Sequence, residues 1–204
     1  MCVEQTLVLT PKARTAELTL TEVAALRIYT TVAFKSINDP LRDVKRRERR
    51  ERHPLFLTVV LIKQAVLKLR AVEAVDEDAN REMELYRGMK NVGVAETFLK
   101  EGGTEVALMS TTADIKLALK YSASNKGLLF RLKTKSAMER GADLSFLSCF
   151  PGEKEYLFPP LTYLQPVMPR APVDSPWVAP PAPVLKKVTL AGANFLVLEV
   201  EPKQ

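Results

Sequence analysis

The first half of this chain is patterned for helices and the second half for short strands. Thr19-Leu20-Thr21-Glu22 precedes the apolar stretch Val23–Tyr29, and Thr19 with Glu22 has the spacing of a capping box. Asn38-Asp39-Pro40 reads as a turn-like break. Pro54 then opens a long apolar segment, Leu55–Arg70, whose later part puts Leu61, Ala65 and Leu69 on one helical face, as expected for a helix packed on a core.

Farther along the chain the period shortens. Glu84–Gly88, Glu105–Thr112, Gly127–Leu132 and Lys154–Phe158 are strand-type segments, separated by glycine and polar clusters such as Glu101-Gly102-Gly103-Thr104. One helical piece, Ala113–Tyr121, follows the second of them. Pro166–Pro183 is proline-rich and predicts an extended surface loop, with Trp177 packing it down. Val188–Val200 returns as one or two strands around Gly192. Helices first and strands second predict an α+β fold with a mainly antiparallel sheet assembly.

Composition narrows the class. A chain of 204 residues with 47% hydrophobic content is long enough for one domain with a real core, and it is not disordered. Its only cysteines, Cys2 and Cys149, exclude a disulfide framework. No apolar run reaches the roughly 18 residues that span a bilayer. The N-terminus lacks the pattern of a signal peptide, so an intracellular, cytoplasmic setting is expected, or an excised domain. The net charge of +6 favours acidic or phosphate-bearing partners. Much of it sits in Arg42–Arg52, where seven of eleven residues are basic. That run reads as a solvated segment laced with Arg–Glu pairs, or as a basic patch for an acidic partner; without interleaved aromatics it argues against nucleic acid.

Three polar signals on predicted strands could carry chemistry. Glu153 and Glu155 flank Lys154 at the start of an apolar strand, and in extended chain residues i and i+2 share a face. Paired carboxylates can divide labour, one meeting a developing cation and one handling a proton. Tyr86-Arg87-Gly88 and Ser110-Thr111-Thr112 precede them. Each also has a plain structural reading: Arg87 pairing with Glu84, a threonine capping the following helix, the glutamates facing solvent.

Taken in order, these residues resemble the arginine-specific mono-ADP-ribosyltransferases with an Arg-Ser-Glu triad, a family of bacterial toxins and eukaryotic enzymes. Leu85-Tyr86-Arg87-Gly88-Met89 looks like the first motif and Met109-Ser110-Thr111-Thr112 like the second. Asp143–Glu155 is similar to the loop and strand of the third, and Ala25–Thr30 with Ile37–Arg42 looks like the family's helical region. The resemblance implies one catalytic domain over 1–204, with a helical lobe at 1–80 beside a β-rich core at 81–204. That core would have two sheets, with NAD in the cleft between lobe and core.

It also implies roles. Arg87 would bind the NAD phosphates, Gly88 would let the backbone approach the nicotinamide amide, and Ser110 would bond around the ribose and the catalytic glutamate. Glu155 would stabilise the oxocarbenium-like transition state, Glu153 would orient and deprotonate an arginine acceptor, and Phe150 would engage the target, unless Phe-Pro-Gly is simply a packed turn. NAD is then the substrate, no metal is needed, and protein arginines are the acceptors, including self-modification within Arg42–Arg52. Ser-Thr-Thr stands where the family often has Ser-Thr-Ser, which puts the last hydroxyl in question. Poly-ADP-ribosylating relatives use a histidine, and the lone His53 lies ahead of every strand motif. NAD glycohydrolysis, with water replacing arginine, and a non-catalytic basic binding module are the alternative functions.

Overall fold

A computed structural model describes residues 2–124, 126–168, 185–190 and 193–203. Helices α1 (Val3–Val8), α2 (Pro11–Thr15), α3 (Leu20–Tyr29), α4 (Phe34–Arg42), α5 (Val44–Glu48) and α6 (Phe56–Glu73) come first. Strands β1 (Met83–Lys90), β2 (Gly103–Glu105), β3 (Met109–Thr112), β4 (Gly127–Thr134), β5 (Ala142–Asp143), β6 (Glu155–Phe158), β7 (Thr162–Pro166), β8 (Leu185–Leu190) and β9 (Ala193–Lys203) follow. Helices α7 (Glu96–Glu101) and α8 (Ile115–Ser122) interrupt them. The α+β reading holds. Among the described residues no helix is long and apolar enough to cross a membrane.

The strands run in the order β2-β7-β9-β4-β1-β3-β6-β5, with β8 beside β9. Every pairing is antiparallel except β4 with β9. The path is continuous, but β1 meets β3 at one register pair, Tyr86 opposite Thr112, which joins two sheet halves. Two cores form, and β6 contributes to both. Leu26, Ile37, Ile62 and Leu69 of the helices pack with Leu144 and Leu157 by β5 and β6, whereas Leu85, Phe130, Phe158 and Leu198 fill the other core.

The capping box closes as expected. The Thr19 hydroxyl accepts from Glu22 N at 3.2 Å, and Glu22 accepts from Thr19 N at 2.8 Å. Lys68 of α6 then pairs with the same buried carboxylate at 2.9 Å, tying α3 to α6. Two expectations need correction. Asn38-Asp39-Pro40 is not a break: it lies inside α4, with Pro40 in the last turn, where its missing N–H leaves the Ser36 carbonyl without its helical partner. Asn38 is held there by long-range contacts, its amide donating to Tyr29 Oη at 3.0 Å and Leu108 O at 3.2 Å. Those same contacts help to split Glu105–Thr112, which is not one strand. The Leu108 carbonyl is taken from the helical side, and Glu105 accepts the Ala107 N–H at 3.0 Å, so the backbone leaves the ladder between β2 and β3.

Strand β7 and helix α7 went unforeseen, and most of the expected proline-rich loop, with Trp177 and Gly192, lies outside the described residues. The basic run forms α5 and an exposed stretch in which Arg46 and Arg49 both pair with Glu51 (3.4 and 2.6 Å). His53 is structural: its Nδ1 accepts from Leu55 N at 2.9 Å, which leaves Nε2 to donate to Ile37 O at 2.9 Å.

Candidate active site

Register brings the second and third motifs together. Thr112 of β3 lies opposite Glu155 of β6, so Ser110, two residues along β3, shares that face at diagonal reach. The Ser110 hydroxyl donates to Glu155 Oε1 at 2.6 Å. On the other side of β3, β1 brings up Arg87, whose Nη1 donates to Ser110 O at 3.0 Å. Arg87, Ser110 and Glu155 are thus one connected unit, although 68 residues separate the first from the last.

Glu153 reaches the same place by a route that differs from the expected one. Strand alternation does not operate, because Pro151–Glu153 is a 3₁₀ turn and only Glu155 is in β6. Lys154 between them is left-handed (φ 46°, ψ 54°), and this turn swings both carboxylates into one cleft while Lys154 points to solvent. Two bonds hold Glu153: the Thr112 hydroxyl donates to its backbone carbonyl at 2.6 Å, and Tyr121 Oη donates to its Oε1 at 2.9 Å. The last hydroxyl of Ser-Thr-Thr therefore has a use, and it also accepts from Asp114 N at 3.0 Å. The cap of α8 is Asp114 itself.

The cleft is a cavity of about 460 Å³ between α3–α4 and the β1/β3/β6 strands. Arg87, Gly88, Ser110, Glu155, Glu153 and Phe150 all line it. Phe150 is 54% exposed, which rules against a packed turn. Gly88 has a structural reason of its own: a Cβ there would stand 1.9 Å from the Ala118 carbonyl oxygen of α8.

The local charges are arranged unevenly. Glu155 is buried, and desolvation first, then the nearby charge of Glu153, pushes its carboxyl up to about 7 against the opposing bond from Ser110. Arg87 sits in the wall, its guanidinium lowered by burial and supported by the charge of Glu105. Glu105 is shared: Arg87 approaches it at 3.6 Å, while Arg42 grips it with two bonds of 3.1 and 3.0 Å. One carboxylate between two guanidinium groups leaves the wall net positive.

Arg42, Glu105, Tyr29, Asn38 and Tyr121 were not foreseen as site residues. Arg42 was hidden as the first member of a basic run, and Asn38 as a presumed turn. Among Lys35, Ser36 and Asp39 its polarity carried no local signal. Asn38 Oδ1 is buried without a hydrogen-bond partner among the described residues. Two guanidinium groups and a cavity within the ordinary size range for ligands suit a dinucleotide.

A family model described as ADP-ribosyltransferase exoenzyme matches residues 10–165. No curated protein matches the chain in sequence. Among solved structures, Plx2a, an ADP-ribosyltransferase toxin from Paenibacillus larvae, is similar at 18% identity and a TM-score of 0.63, over 98% of this chain and 96% of that one. ADP-ribosyltransferase Vis, a toxin of Vibrio splendidus, solved in complex with agmatine, is 18% identical with a TM-score of 0.54, over 97% and 82%. A mutant of the eucaryotic mono-ADP-ribosyltransferase ART2.2 in complex with NADH is 15% identical with a TM-score of 0.63, over 98% and 75%. At such identities the likeness is one of fold.

Proposed function

This chain belongs to the ADP-ribosyltransferase exoenzyme family, and we propose that it transfers ADP-ribose from NAD to arginine side chains of protein acceptors. The observation that carries the reading is the pair of carboxylates in one cleft, each held differently: Glu155 buried on the Ser110 hydroxyl at 2.6 Å, Glu153 half-buried under Tyr121 at 2.9 Å. The agmatine bound to Vis is itself a guanidinium compound, which adds support.

Arg87 and Arg42 take the diphosphate, releasing Glu105 from part of its double load. A planar guanidinium can bond two phosphate oxygens at once. Departure of neutral nicotinamide breaks the C1′–N bond and leaves positive charge on the ribose. Glu155, ionised, faces that charge and bonds the 2′-hydroxyl, and Ser110 fixes its orientation, so little reorganisation is needed as charge develops. The raised Glu155 proton affinity suits a site that awaits a cation, since the positively charged nicotinamide ring draws the carboxyl to its ionised form. Glu153 at the mouth accepts a proton from the incoming guanidinium, whose nitrogen then bonds C1′. Nicotinamide, ADP-ribosyl-arginine and one proton are the products. Phe150 lies where its exposed ring can stack on the guanidinium.

The test is labelled NAD with agmatine, for wild type, Glu155→Ala and Glu153→Ala. Wild type should release nicotinamide and label agmatine; Glu155→Ala should do neither; Glu153→Ala should lose labelling and keep NAD hydrolysis. Nicotinamide release without any labelled agmatine from wild type would defeat the arginine assignment and leave a glycohydrolase.

A further inference from the structure

A second cavity, of about 590 Å³, lies between α6, the 3₁₀ turn Ala137–Glu139, the turn after β6 and the end of β9. It shares no lining residue with the NAD cleft. Three cations, Lys63, Arg70 and Lys203, face a single carboxylate, Glu139, around it.

Arg70 is the unusual member. It is only 8% exposed, yet it forms no ion pair among the described residues. One terminal nitrogen donates to Met138 O, and Nε has no partner. Glu73, one turn along α6, is near enough for its charge to act on Arg70 but forms no ion pair with it, and its Oε1 is taken by Lys12 at 2.7 Å and Asp143 N at 3.1 Å. Glu139 forms no ion pair with Arg70 either, and its Oε2 accepts the Lys135 N–H at 2.7 Å. Burying an ionised group without its hydrogen bonds is costly, and an oxyanion is the ligand that removes the cost. Lys203 keeps Glu201 at 2.8 Å as a partner, while Lys63 is exposed at the rim.

We propose that this cavity is a second anion site, built around Arg70 and Lys63, that binds the phosphate group of a small phosphate-bearing ligand. A guanidinium with unused donors, flanked by two ammonium groups, matches a phosphate dianion in both geometry and charge. The volume admits more than a bare ion, so free phosphate and a nucleotide phosphate are both served by the same chemistry.

Thermal unfolding of the whole chain tests this, with inorganic phosphate against chloride at constant ionic strength, and in parallel with AMP. The Arg87→Lys variant weakens the NAD cleft as a competing phosphate site. Wild type and Arg87→Lys should both gain about 3–6 °C when phosphate is about tenfold above its dissociation constant. Lys63→Gln, at an exposed position, and Arg70→Met, which keeps the bulk without the charge, should each lose that gain. A larger gain with AMP than with phosphate identifies a nucleotide as the source; equal gains identify the phosphate group alone. No gain in wild type, a gain abolished by Arg87→Lys, or a full gain retained in Lys63→Gln would overturn the assignment. Lys63→Gln decides the matter even if Arg70→Met does not fold.

Discussion

Replacing Glu155 by glutamine should make the protein more stable at neutral pH and no more stable in acid. The side chain is buried, and its carboxyl is raised from 4.5 to about 7, chiefly by desolvation. At 1.36 kcal/mol for each tenfold, that rise corresponds to about 3 kcal/mol. Below pH 4.5 the native and unfolded chains both hold the proton, so the site contributes no difference. Between 4.5 and 7 the unfolded chain gives up the proton while the native chain keeps it, and wild-type stability falls as pH rises. Above 7 both forms are ionised and the native state carries the full burial penalty. Glu155→Gln does not titrate, and its amide oxygen can still accept from Ser110. The gap in melting temperature between variant and wild type should therefore widen across this window by about 6–12 °C for a chain of this size. Melts followed by circular dichroism across the window measure it. A gap that stays constant or narrows with rising pH would refute the reasoning. Activity should move the other way, since only the carboxylate can face a ribose cation: wild-type kcat/KM for NAD should rise through about pH 7, and Glu155→Gln should lose about 10²–10⁴-fold.

Other perturbations follow from the same geometry. Glu153→Gln removes a negative charge that raises Glu155, so the pH midpoint of NAD hydrolysis should shift downward; an unchanged midpoint would show the two carboxylates to be uncoupled. Arg42→Gln leaves Glu105 to Arg87 alone, which should raise KM for NAD more than it lowers kcat, as steady-state kinetics would show. Gly88→Ala drives a Cβ to within 1.9 Å of the Ala118 carbonyl oxygen unless the backbone shifts, and should cost about 3 kcal/mol in denaturant titration. Self-modification should fall on the exposed Arg47, Arg49, Arg50 and Arg52, not on Arg42, which is bound to Glu105 in the cleft; mass spectrometry after incubation with NAD would locate it, and unmodified arginines throughout 45–52 would end that idea.

What the sequence determined by itself were the local and ordered features. Thr19 and Glu22 cap a helix because three residues is about one turn, and the polar residues Arg87, Ser110 and Glu155 stand out as polar positions on three short strand-type segments. Their order along the chain carried the family resemblance, and with it the substrate. Only tertiary structure decided how those residues meet. The Ser110–Glu155 bond depends on the β3–β6 register, and Arg42 and Asn38 enter the cleft only because α4 packs against Leu108 and Glu105, some 60–70 residues away in the chain. Glu153 and Glu155 do face one site, but a left-handed Lys154 achieves it where strand alternation was expected. Backbone sign at one residue and pairing across long loops leave no local pattern of side chains, which is why the motif was legible and the cleft around it was not.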